Sequence, residues 1–186
     1  MKRDRDVAVT QFQTNKDIPM DSLNKQNIFD EFGLDMAVKA MSSSHDINRQ
    51  VGCAIITGNG QELIVASNRI PEGIITDYEH RYEQDEKMFW IEHAELSAIF
   101  QAAERGISLR GGCLYCTYYP CAGCARGIVS SKIARVVTAA PDFTHHRWGE
   151  SFKRSKKIME EAGVLVVVKN FGIKMESPLT TKRMCL

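Results

Sequence analysis

The 186-residue sequence has no excess of either charge and no long apolar run. Its 24 Lys and Arg stand against 23 Asp and Glu, a formal net charge of +1. A protein built mainly to grip a nucleic-acid backbone shows a basic face and a basic total, so that class is disfavoured, although binding of one nucleotide is not. The longest apolar stretch, residues 164–168, falls far below the roughly 18 residues that suggest a membrane span. The charged start Met1-Lys-Arg-Asp-Arg-Asp6 leads into no apolar segment of the kind a secretory signal carries. The expected compartment is the cytoplasm, where six cysteines read as metal ligands, catalytic groups or buried thiols before disulfides. There is no internal repeat and no low-complexity tract. With 44% hydrophobic and 25% charged residues, the chain has the mix of one folded domain, and its length supports a core that needs no staple.

The apolar pattern alternates between two periods. Ile28, Phe29, Phe32, Met36, Val38, Ala40 and Met41 recur at helical spacing, with Asp21 or Asn27 as candidate caps. Residues 51–57 and 62–67 are β-branched runs around Gly58-Asn59-Gly60 and predict a hairpin. A helix is expected over about 93–105, ended by Gly106, and a strand over 113–118. Pro120 is expected to open a helix running to about Ser131. A strand over 133–139, a helix over 150–162 closed by Gly163, and a strand over 164–169 complete the pattern. This order predicts an α/β fold with one mixed sheet between helices. Residues 1–25 read as an N-terminal extension, 26–169 as the domain and 170–186 as a C-terminal tail. The long polar stretch 68–92, with a short helical piece around 78–87, is unusual in a compact domain unless it has a function.

Cys113, Cys116, Cys121 and Cys124 form C-x2-C-x4-C-x2-C. Cys113 and Cys116 lie three apart on a predicted strand and so point to opposite faces, which excludes a shared metal. The spacing from Cys116 through Cys124 also matches an iron–sulfur pattern that would need Cys185 as its fourth ligand. Cys121 and Cys124 share one face of a helix start, where partial positive charge favours thiolates. They could be a redox dithiol, two buried thiols or metal ligands. His93-Ala94-Glu95 shifts the balance, because one imidazole and two thiolates supply three zinc ligands and leave a fourth position open, as in catalytic sites. H-x-E with P-C-x-x-C is the signature of zinc nucleobase deaminases. Zinc would lower the pKa of its bound water to give hydroxide, and Glu95 would shuttle the protons.

Four segments carry a family resemblance: the stretch from His45 to Gly52 (HDINRQVG), Ser67 to Gly73 (SNRIPEG), His93 to Ile99 (HAELSAI) and Tyr118 to Ala125 (YYPCAGCA). Over about residues 32–168 the chain resembles the deoxycytidylate (dCMP) deaminases of the cytidine deaminase superfamily. The resemblance implies a three-layer α-β-α fold with a five-stranded mixed sheet. It implies zinc on His93, Cys121 and Cys124, and Glu95 as the proton shuttle. Asn68 would contact sugar or base, and the Ala94 amide the base carbonyl. Arg69 offers a guanidinium for phosphate oxygens, and Tyr119 is the candidate to pack on the substrate ring. The implied reaction is dCMP to dUMP plus ammonia, in a homo-oligomer. The alternatives are another nucleobase substrate (a free base, a nucleoside or adenosine in tRNA) and a non-catalytic, metal-stabilised RNA-binding module using the basic stretch 141–157. In that stretch the His145–His146 pair could bind metal, although adjacent histidines rarely share one, and Arg147, Lys153, Arg154, Lys156 and Lys157 are ordinarily a solvated face.

Overall fold

A computed structural model describes residues 20–169 apart from Ile47 and Gln84, with side chains from residue 26 onward. Strands β1 (Gly52–Ile56), β2 (Leu63–Ser67), β3 (Cys113–Cys116), β4 (Arg135–Thr138) and β5 (Leu165–Val168) form one sheet in the order β2-β1-β3-β4-β5. The β1–β2 and β1–β3 pairs are antiparallel, whereas β3–β4 and β4–β5 are parallel. Helix α1 (Met20–Ala40) covers one face. Helices α3 (Ala94–Glu104), α4 (Ala122–Ser130) and α5 (Gly149–Glu161) cover the other. This is the expected five-stranded three-layer α-β-α fold.

Alternation along the strands sorts the side chains into two cores. Cys53, Ile55, Leu114, Cys116 and Val136 pack with Ala94, Ala98, Ala125, Ile128 and Phe152. Ala54, Ile56, Tyr115 and Val137 face Ala37 of α1. Cys113 borders this second cluster, so it and Cys116 do lie on opposite faces of the sheet, as a two-residue side-chain period requires. The two parallel connections run through α4 and α5. Gly106 and Gly163 follow α3 and α5 with φ of +68° and +73°, the left-handed conformation that ends a helix with least strain.

Two expectations about the first helix need correction. It already runs at Met20, inside the stretch expected to be an extension, so neither Asp21 nor Asn27 caps it. Its large apolar residues also do not form the core face: Ile28, Phe29, Phe32 and Val38 are exposed. The buried positions are Asp30, Gly33, Ala37 and Ala40. The reason is distance. A Cβ on Gly52 would sit 1.8 Å from the Ala37 carbonyl oxygen, and one on Gly33 would sit 2.5 Å from the Tyr115 ring. A helix that close to β1 and β3 takes only small side chains at its closest approach, with Leu34 and Met36 packed partly buried at the side. Asp30 is the exception, and it is held there by charge. Its carboxylate takes both Arg135 nitrogens at 2.6 and 2.8 Å and Lys169 Nζ at 3.1 Å. Burial pushes this carboxyl up, but hydrogen bonds from Arg135, Gln26 and Lys169 override it and hold the group down at about 2.

The sheet has one functional end. The loop entering β1, the loop leaving β3 and the loop leaving β4 all emerge there, because β1 is antiparallel and β4 parallel to β3. The stretch 68–92 folds as a 3-10 turn at Glu79–Tyr82 and a short helix α2 (Lys87–Trp90). The N-terminal residues 1–19 and the expected tail 170–186, with Cys185, lie outside the described residues. Among the described residues no helix is long and apolar enough to cross a membrane.

Candidate active site

Two helix starts bring the sequence motifs together. His93 occupies the N-cap of α3 with extended backbone, and Cys121 the N-cap of α4. Pro120 therefore precedes the cap rather than opening the helix. Proline holds the chain extended into Cys121, whose Sγ accepts from the Cys124 backbone N–H at 3.5 Å. This places a sulfur where a cap oxygen usually sits. Cys124 then falls in the first turn of α4, fully buried.

The three candidate ligands converge. His93 Nδ1 lies 3.5 Å from Cys121 Sγ and 3.4 Å from Cys124 Sγ, and the two sulfurs are 3.6 Å apart. Tetrahedral zinc with bonds of about 2.3 Å to sulfur and 2.0–2.1 Å to nitrogen has S···S and N···S edges of roughly 3.8 and 3.6 Å. All three observed separations fall within about 0.2 Å of those edges, so the donor set fits zinc without rearrangement. Among the described residues this is the one grouping of His, Cys, Asp or Glu side chains close enough to hold an ion. Cys116 is not part of it, which leaves the iron–sulfur spacing without its first ligand.

The protons of the triad point the same way. The Cys124 thiol hydrogen-bonded to Cys121, together with the His93 ring, holds Cys121 down at about 4. The same contact and burial push Cys124 up, and hydrogen bonding to Cys121 raises His93 to about 9. A thiolate stabilised by two neighbouring protons is a site from which a divalent ion displaces those protons. Glu95 is the second residue of α3 and only 4% exposed. Burial pushes its carboxyl up, against the opposing pull of His93. It stands beside the triad without belonging to it, which is what a proton-transfer group requires.

His93, Cys121 and Glu95 line a cavity of about 700 Å³, and Cys124 is fully buried beside them. Ala94, Asn68 and Tyr119 line it as well. The Asn68 amide also braces the loop entering β1. Its Oδ1 accepts from Val51 N and Ser44 Oγ at 2.8 and 2.7 Å, and its Nδ2 donates to the Arg49 carbonyl at 2.9 Å. Tyr119 is edge-on to Phe143 and Phe152, and burial raises its hydroxyl to about 12. Arg69 is not among the lining residues. Its backbone exchanges two hydrogen bonds with Glu92, at 3.1 and 2.9 Å, and fixes the base of the 71–92 stretch.

The cations that do line the cavity are Arg49, Lys87 and Arg147, with His145 and His146 beside them. Arg49 sits over the Tyr118 ring at 5.0 Å. Lys87 is paired with Asp46 at 2.6 Å. Trp148 stands edge-on to His93 with ring centroids 5.9 Å apart. Arg49 lies in a segment the motif reading had singled out without giving it a role. The basic stretch 141–157 divides in two. Lys153, Arg154, Lys156 and Lys157 are indeed exposed and pair with Glu150, Glu160 and Glu161 along α5. The residues before the helix instead form a cavity wall. The His145 Nδ1 accepts from the backbone N–H groups of Arg147 and Trp148, both at 3.2 Å, which fixes that wall.

Comparison with known proteins agrees with this geometry. A "Probable deoxycytidylate deaminase" of Caenorhabditis elegans is 30% identical over 122 residues, which is 64% of this chain and 58% of the relative's own length. An "Uncharacterized deaminase in luxG 3′ region" of Aliivibrio fischeri is 34% identical over 134 residues, 70% of this chain and 86% of that protein. The fold matches a dCMP deaminase from the cyanophage S-TIM5 with a TM-score of 0.60 at 22% identity, covering 76% of this chain and 98% of that one. The model for the "Cytidine and deoxycytidylate deaminase zinc-binding region" matches residues 28–140, which hold His93, Glu95, Cys121 and Cys124. The chain belongs to that family.

Proposed function

We propose that the protein is a zinc-dependent hydrolytic deaminase of a cytosine mononucleotide, with dCMP as its substrate and dUMP and ammonia as products. The observation that carries this reading is a zinc-spaced N,S,S triad that presents His93 and Cys121 to a cavity lined also by the buried carboxyl of Glu95 and by the cations Arg49, Lys87 and Arg147. The name of the nematode relative supports the choice of dCMP.

His93, Cys121 and Cys124 would hold the metal. Zinc bound there supplies Lewis acidity that makes water a nucleophile near neutral pH. Glu95 accepts a proton from the attacking water and delivers protons to the ring nitrogen beside C4 and to the departing amine. The C4–N bond breaks, a C4–O bond forms, and ammonia leaves. Burial pushes the Glu95 carboxyl above its ordinary value. The Ala94 amide, in the first turn of α3, has no carbonyl partner within its own helix and would donate to the base carbonyl. Arg49, held over Tyr118, offers its guanidinium edge to phosphate oxygens. We also propose a homo-oligomer, supported by the exposed Phe29 and Phe32 on α1 and Phe100 on α3.

The test is ammonia release by the zinc-loaded protein from dCMP, CMP, deoxycytidine, cytosine, dCTP and tRNA. The expected order puts dCMP first and deoxycytidine at least tenfold lower in kcat/KM. Preference for the phosphate-free nucleoside, or for tRNA, overturns the substrate reading.

A further inference from the structure

The stretch 71–92 is internally braced. The Arg69–Glu92 backbone exchange closes its base. Within it, Arg81 lies between the rings of Tyr78 and Trp90, 4.6 and 3.9 Å from their centroids. The Tyr82 hydroxyl donates to the Thr76 carbonyl at 2.9 Å, and the Trp90 indole to Glu86 at 3.0 Å.

Two of its residues then reach two different walls. Lys87 Nζ meets Asp46 Oδ2 at 2.6 Å, and Asp85 Oδ1 meets Arg147 at 3.6 Å. Asp46 precedes β1 and Arg147 follows β4. These strands flank β3 on its two sides, and β3 leads to Cys121. The segment therefore bridges the walls of the cavity lined by His93, Glu95 and Cys121. The two ties are unequal. Asp85 is 98% exposed, so solvent screens its pair. The Asp46 side chain is 4% exposed, and its other oxygen accepts from the backbone of Asn48 and Arg49 at 3.0 and 3.2 Å. That anchor cannot swing, so Lys87 is the tie that matters.

A base within a polynucleotide must be extruded into a deaminase pocket while the strand continues past it on both sides. A segment tied to both walls obstructs that path, whereas a mononucleotide ends inside the cavity. Resting on the deaminase reading above, we propose that residues 71–92 form a strap latched by Lys87 onto Asp46. In this proposal Lys87 is a specificity-determining residue that limits the substrate to a free mononucleotide.

The test compares the zinc-loaded full chain with Lys87→Met and Lys87→Arg, on dCMP and on a single-stranded oligodeoxynucleotide with one central dC. The parent protein is expected to prefer dCMP at least 1,000-fold in kcat/KM. Lys87→Met should cut that preference at least tenfold, raise KM for dCMP more than it lowers kcat, and speed proteolytic cleavage within 71–92 about tenfold, with zinc content unchanged. Lys87→Arg keeps the ion pair and should restore both the preference and the cleavage rate. Equal use of oligonucleotide and dCMP by the parent, or a Lys87→Met variant with parental preference and cleavage rate, overturns the strap. A parent that releases ammonia from neither substrate overturns the deaminase reading itself, and the cleavage comparison then still decides whether Lys87 latches the segment.

Discussion

Glu95→Gln separates the chemistry from the scaffold. The substitution keeps the side-chain volume at a position only 4% exposed, so it opens no cavity. The three candidate metal ligands are other residues, so zinc content should stay at one per chain. What would be lost is the group proposed to move protons between the attacking water, the ring and the amine. Positioned acid–base catalysis contributes typically 10²–10⁴-fold, about 3 to 5 kcal/mol of barrier. Because one carboxyl serves several transfers, the upper end is expected, with kcat falling about 10⁴-fold and KM for dCMP changing less than tenfold. Steady-state ammonia release, with zinc measured on the same sample and thermal unfolding as a fold control, reads all three quantities. A Glu95→Gln variant within tenfold of parental kcat refutes the assignment of the carboxyl.

Three further outcomes follow from the same structure. Asp30→Ala strips the buried Arg135 of its partner, and breaking such a pair costs about 3–5 kcal/mol, measurable by urea unfolding at pH 7. The parent's own stability should depend on this group. Its carboxyl sits near 2 in the fold against 3.8 otherwise, so roughly 2 to 3 kcal/mol is fully present above about pH 5 and is lost as the pH falls through 4 toward 2; a parent whose stability is flat across that window contradicts the clamp. Gly52→Ala would place a methyl 1.8 Å from the Ala37 carbonyl oxygen and should lower stability by about 3 kcal/mol or more, seen as a drop in Tm of roughly 10 °C.

The grouping of the candidate metal ligands was legible because their positions follow from local rules. A proline before the first cysteine, two thiols three apart and a histidine two before a carboxylate each imply a helix start, and helix starts are where the structure places them. Strands β1, β2, β4 and β5 were legible from their β-branched residues, and the opposite facing of Cys113 and Cys116 from the two-residue period alone. The core face of α1 was not legible, because Gly33, Ala37 and Ala40 become core residues only when the helix presses on β1 and β3. Arg49, Lys87 and Arg147 were missed for a related reason. They come from three loops that meet only because β1 and β4 both flank β3. Arg69 looked suited to phosphate as an isolated guanidinium, but its backbone pairing with Glu92 fixes it at the base of the strap, outside the cavity lining. Local chemistry can be read along the chain, whereas the charge of a cavity is set by topology.

The central claim is that one imidazole and two thiolates form an open zinc site. X-ray absorption at the zinc edge of the purified protein tests it directly. The account predicts one zinc per chain with two sulfurs near 2.3 Å and one protein nitrogen near 2.0–2.1 Å, lost together in Cys121→Ser. Four sulfur ligands, iron in place of zinc, or a metal-free protein with Cys121 joined to Cys124 would contradict it.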